Sequence, residues 1–128
     1  MSWIVANITT IMIVAGLLTL TMLSAAVAPQ AALRATFGET LEGPLAEIVV
    51  RNWGALIGLI GAMLIYGALA DGHRDFVLVV AGASKLVFIA LVLSQGARYL
   101  RRQAGVAIVV DAVMVALFVL YLVAANGS

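Results

Sequence analysis

FVLVVAGASKLVFIALVLSQ, residues 76–95, and AGVAIVVDAVMVALFVLYLVAA, residues 104–125, are two long apolar runs. Each is apolar over roughly 20 residues, the length a helix needs to cross a hydrocarbon core of about 30 Å. Each also holds one charge, Lys85 in the first and Asp111 in the second. Hydrocarbon solvates neither an ammonium nor a carboxylate, so charges in such runs face a partner, a cavity or water. Opposite signs on consecutive spans predict a bonded pair inside a bundle.

Two more runs of the same kind occupy about residues 3–28 and 48–70. All four are expected to be helices, because a helix satisfies its own backbone in lipid and an open strand does not. The connections 71–75 and 96–103 are short and make consecutive spans antiparallel. The expected fold is therefore all-α: a polytopic membrane protein, one domain over 1–128, built as an antiparallel bundle of four transmembrane helices. Composition agrees with this. Hydrophobic residues make up 65% of the 128 and charged ones 10%, against about 45–50% and about 25% in soluble domains. The mean hydropathy of +1.19 points to the bilayer as solvent.

Other classes are excluded on the same grounds. A net charge of +1 without a basic, aromatic-interleaved patch gives nucleic acid nothing to bind. The absence of cysteine removes disulfides, thiolate metal sites and dithiol redox chemistry. His73 stands in the GHRD loop without a second histidine, so no metal site is expected. No phosphate loop, nucleophile elbow or acid/base carboxylate pair is present. Ala26-Val27-Ala28 resembles a leader cleavage site, but MSW lacks a basic residue and Pro29 follows directly, so the first run reads as a retained span.

Arg34, Arg51, Arg98, Arg101 and Arg102 flank the two longer loops, 29–47 and 96–103, whereas the opposite side carries Arg74. The positive-inside rule then places both longer loops in the cytoplasm and both termini outside. Within the first loop, Pro29 is suited to open a short helix, QAALRATF, and Gly38 to stop it. Its Ala31, Ala32, Leu33 and Phe37 are expected to lie at the membrane interface, either as a connector or as a lid over a cavity.

The second span carries Gly54, Gly58, Gly61 and Ala62 at spacings of three and four. Small residues at this spacing let two helix backbones approach closely in lipid. That close contact is expected within the bundle, with a homo-oligomer as the alternative.

Depth follows from a rise of 1.5 Å per residue. Lys85 is roughly 15 Å from the cytoplasmic end of its span and Asp111 roughly 10 Å from the same face. Arg51 and Asn52 stand about one turn into the second span, with Glu47 at i−4 to Arg51. Ser84, Thr19 and Thr21 fall in the same half. The expected site is thus a polar layer of Lys85, Asp111, Arg51, Asn52, Ser84, Glu47, Thr19 and Thr21. Asp111 would meet Lys85, Arg51 or both, and two cations against one carboxylate would favour an anionic ligand.

Three stretches carry a family resemblance: AP-x(7)-FG at 28–38, RNWGALIGLIGAMLIYGA at 51–68 and GASKLVFIALVLSQG at 82–96. Their order resembles that of small bacterial four-helix membrane proteins of the broad DoxX-like group. The resemblance implies a bacterial inner-membrane protein and admits a quinone- or lipid-binding redox subunit, with no catalytic residue to carry over. From the residues themselves, the first expectation is a non-catalytic accessory or scaffolding subunit partnered by another membrane protein or by itself. The alternative is an oligomeric transporter or channel for an ion, proton or small solute, using Lys85 and Asp111. No cofactor is expected beyond a bound lipid or quinone.

Overall fold

The computed structural model describes residues 2–101 and 103–126. Among these, four helical segments are long and apolar enough to cross a membrane, and no strand is present. The short α1 (Ser2–Ala6) precedes the first segment, which comprises α2 (Ile8–Leu20) and α3 (Leu23–Val27). The short α4 (Pro29–Phe37) follows, then α5 (Pro44–Leu69), α6 (Arg74–Leu93) and α7 (Gln103–Asn126). The four segments run over Ile8–Val27, Pro44–Leu69, Asp71–Leu93 and Gln103–Ala125.

The interruptions in the first span have local causes. At the α2–α3 joint, the amides of Thr21 and Met22 donate to the carbonyls of Leu18 and Thr19, three residues back. Such bonds tighten the helix to a 3₁₀ turn. The Thr21 hydroxyl adds a 2.6 Å bond to the Leu18 carbonyl, a local bond that competes with regular helix. The ends of α4 follow the sequence reading closely. Pro29 occupies its first turn, and Gly38 takes φ 75°, returning its amide to the Arg34 carbonyl. Left-handed φ of this kind is nearly free for glycine and strained for other residues.

The helices close a ring: α2 and α3 pack on α5, α5 on α6 and α6 on α7, while α1 and α4 reach α7 at its two ends. The α5 glycines make the closest of these contacts. A Cβ on Gly61 would sit 2.8 Å from the Gly16 carbonyl oxygen, and one on Gly16 would sit 2.7 Å from the Gly61 carbonyl oxygen. Gly54 lies against the backbone of Ala25 and Ala26, and Gly58 against the Leu23 side chain. The small-residue face is therefore used within the chain. Ala62, expected on that face, is exposed. It stands eight residues from Gly54, about 80° round the helix, whereas Gly58 and Gly61 fall within about 40° of it.

The core is in two pieces. One, containing Ile8, Met12, Leu64, Leu78 and Phe118, fills the end of the bundle nearest the amino terminus. The other, Ala25, Ala32, Leu33 and Val50, lies under α4 at the opposite end. Ala32 and Leu33 thus turn into the protein rather than toward a membrane interface, while Ala31 is exposed. Many large apolar residues face outward, among them Leu17, Leu56, Val79, Leu91 and Val109, as expected of a surface solvated by lipid.

Candidate functional site

Lys85 and Asp111 meet. Lys85 is twelfth in α6 and Asp111 ninth in α7, so each stands well inside an apolar helix. The ammonium Nζ donates to Asp111 Oδ1 at 2.9 Å and to Thr19 Oγ1 at 3.1 Å. Thr19 accepts this bond because its own hydroxyl proton is committed to the Ala15 carbonyl, 2.7 Å away. Three helices are joined by these contacts. Lys85 and Thr19 are buried, whereas the Asp111 side chain remains 17% exposed.

The exposure of Asp111 has a structural source. Between the two core clusters lies a cavity of about 380 Å³, and the Lys85–Asp111 pair forms part of its wall. Thr19, Thr21 and Ser84 line it as well. Its volume falls in the range of small-molecule sites, about 300–1,000 Å³, and its walls are apolar with a few convergent polar groups, as such sites commonly are. A neighbouring apolar hollow of about 310 Å³ shares Trp53 and Phe88 with it.

Arg51, Asn52 and Glu47 stand outside this cluster. All three are exposed, and Arg51 Nη1 donates to the Ala26 carbonyl at 3.2 Å. The buried positions of α5 in this region are Val50 and Gly54. Residues 51 and 52 lie about 100° and 200° further round the helix from Val50 and so turn away from the interior. Arg51 instead meets a carbonyl at the carboxyl end of α3, where the last turn of a helix leaves acceptors free. With Arg51 outside, the charges lining the cavity balance: one ammonium, one carboxylate. The surplus positive charge expected from the sequence is absent from the cavity wall.

Several contributors had little or no sequence signal. Thr36 of α4, Trp53 of α5 and Gln103 of α7 line the cavity, although loop and span-end positions gave no reason to group them. Phe37 packs edge-on to Tyr99, with ring centroids 5.2 Å apart, and tilts against Trp53 at 6.3 Å. Glu39 pairs with Arg98 at 3.0 Å, joining the segment after α4 to the α6–α7 connection. Arg74 binds the end of α5: its Nη2 donates to the Ala68 carbonyl at 2.8 Å and its Nε to Gly67 at 3.2 Å. A basic residue just beyond a helix terminus is a common partner for the last carbonyls, so this contact was recoverable from the sequence. Arg102 lies outside the described residues. Among the described residues, no three His, Cys, Asp or Glu side chains come together to hold a metal.

A scan against protein-family models gave no match, and searches of curated proteins and of solved structures gave none either.

Proposed function

We propose that the chain is a non-catalytic accessory subunit of a membrane complex that retains a lipid-soluble small molecule in its bundle, beside Lys85 and Asp111. One observation carries this reading: the pair fronts a cavity of about 380 Å³ instead of being packed over. A buried ion pair offsets its desolvation only when its remaining hydrogen-bonding capacity is also met. A cavity beside the pair leaves room for a ligand to meet that need. The contacts among Thr19, Lys85 and Asp111 also support a second task, ordering α2, α6 and α7 around the site.

The proposed setting is the bacterial inner membrane, with both longer loops cytoplasmic. Arg34 on α4, Arg51 in the amino-terminal part of α5, and Arg98 and Arg101 in the second loop are exposed, which supports that orientation. The partner is another membrane protein or a second copy. Kinship with the DoxX-like group is proposed on the three sequence stretches, which form α4, α5 and α6 with their flanks.

Native mass spectrometry of protein drawn from its membranes in mild detergent tests the ligand. The wild-type chain is expected to carry a bound small molecule, and Ala107→Phe, which places a ring in the cavity, to lose it. A wild-type chain without any adduct, or an adduct unaffected by Ala107→Phe, counts against the reading. Flux of protons or ions through reconstituted liposomes, lost in Lys85→Met, would favour the transporter alternative.

A further inference from the structure

The ring of helices has one weak seam. α7 meets α1 at one end and α4 at the other, whereas the α2 and α7 backbones approach each other less closely than the other neighbouring pairs. The cavity lies behind this seam. Leu18 on α2 and Val106 on α7 both line the cavity and are largely exposed on the outside of the bundle, at 49% and 63%. A residue that does both marks an opening. Thr21 and Gln103 also line the cavity and are exposed, so the opening has an apolar flank at Leu18 and Val106 and a polar end beyond it, along helices long enough to span a membrane.

The head-group chemistry follows from the charges inside. Lys85 and Asp111 cancel, and Arg51 points elsewhere. A carboxylate ligand would be drawn to Lys85 but set against Asp111, and an amine would meet the reverse. A hydroxyl can donate to the Asp111 carboxylate while accepting from the Lys85 ammonium, whereas a ketone or ester can only accept. Thr19 does not compete for Asp111, because its proton is held by Ala15. We propose that the ligand is an uncharged, lipid-borne amphiphile with a hydroxyl head, and that it enters from the bilayer through the seam between α2 and α7. This rests on the reading of the cavity as a ligand site.

The chain supplies its own reporter. It has two tryptophans, Trp3 and Trp53, and Trp53 lines the cavity, so Trp3→Phe leaves a single fluorophore at the site. That variant, reconstituted in phosphatidylcholine vesicles, is titrated with an alcohol, a carboxylate and an amine of one chain length, each brominated along the chain to quench Trp53. Saturable quenching is expected to be tightest for the alcohol, by roughly tenfold or more, because like charges set close together in an interface are strongly disfavoured. Adding Ala107→Phe should remove the saturable part and leave only quenching from bulk lipid. Asp111→Asn should shift preference toward the carboxylate, and Lys85→Met toward the amine. A wild-type site that prefers the carboxylate or the amine overturns the hydroxyl assignment while leaving the cavity a ligand site. No saturable quenching by any probe overturns both.

The route has a separate readout. Because the chain lacks cysteine, Leu18→Cys and Val106→Cys can be introduced together and bridged by a bifunctional thiol reagent. Bridging is expected to slow the onset of quenching by roughly tenfold or more, since closing the seam would leave slow helix motion to admit the ligand. An unchanged onset rate overturns the seam as the route.

Discussion

Replacing Gly61 by Ala should destabilise the bundle, whereas the same replacement at Gly82 should stabilise it. The Cβ added at Gly61 would meet the Gly16 carbonyl oxygen and the Leu20 amide nitrogen, each at 2.8 Å. Comfortable separation for a carbon is about 3.5 Å or more, so α2 must retreat by roughly 0.7 Å. Both obstacles are backbone atoms, and no rotamer change relieves them. Overpacking of this kind costs about 1–3 kcal/mol. At Gly82 a new Cβ meets nothing within 4 Å, and the substitution removes backbone entropy from the unfolded helix, a gain of about 0.5–1 kcal/mol. The chemical change is identical, so the difference between the two variants isolates the α2–α5 contact. The assay is unfolding in dodecyl maltoside by added sodium dodecyl sulfate, followed by circular dichroism. If Gly61→Ala proves as stable as Gly82→Ala, the close backbone approach does not hold these helices and the reasoning fails.

Lys85→Met and Asp111→Leu should each cost about 3–5 kcal/mol by stranding a charge, and the double variant much less than their sum; additive costs in the same unfolding assay would show that the pair is not coupled. Arg74→Met should cost about 1–3 kcal/mol through loss of charge-assisted bonds to Gly67 and Ala68. Faster amide exchange in residues 67–73 would locate that damage, and unchanged exchange there would refute the capping role. Glu39→Gln should change stability by about 0–1 kcal/mol, since the Arg98 pair is exposed on both sides. That small effect should vanish near 1 M salt, where the screening length is about 3 Å, and a salt-independent effect would point to a different cause.

The parts of the site legible in the sequence are those governed by one-dimensional rules. Lys85 and Asp111 were found because a charge in a run of apolar residues has few tolerable surroundings. Gly54, Gly58 and Gly61 were found because their spacing puts them on one helix face, although Gly16, the partner of Gly61, was not singled out. Arg51 was misplaced because its sequence depth matches that of the cluster, while its direction round the helix does not. Val50 and Gly54 already occupy the inward positions, and that assignment depends on which face of α5 meets α3. Thr36 and Gln103 gave no signal, since a loop helix and a span end can be brought to the cavity only by the way α4 folds back onto α5 and α7.

The number of spans, their helical state, their antiparallel order and the presence of a charge in each of the last two are set by the order of the residues alone. These follow from the cost of exposing backbone and charge to hydrocarbon, which any alignment of the helices must respect. Helix packing sets the rest: that Lys85 takes Asp111 and Thr19 as partners, that Arg51 stays outside, and that a cavity opens beside the pair. Those outcomes depend on helix rotation and on how closely pairs of backbones approach, and hydropathy does not constrain either.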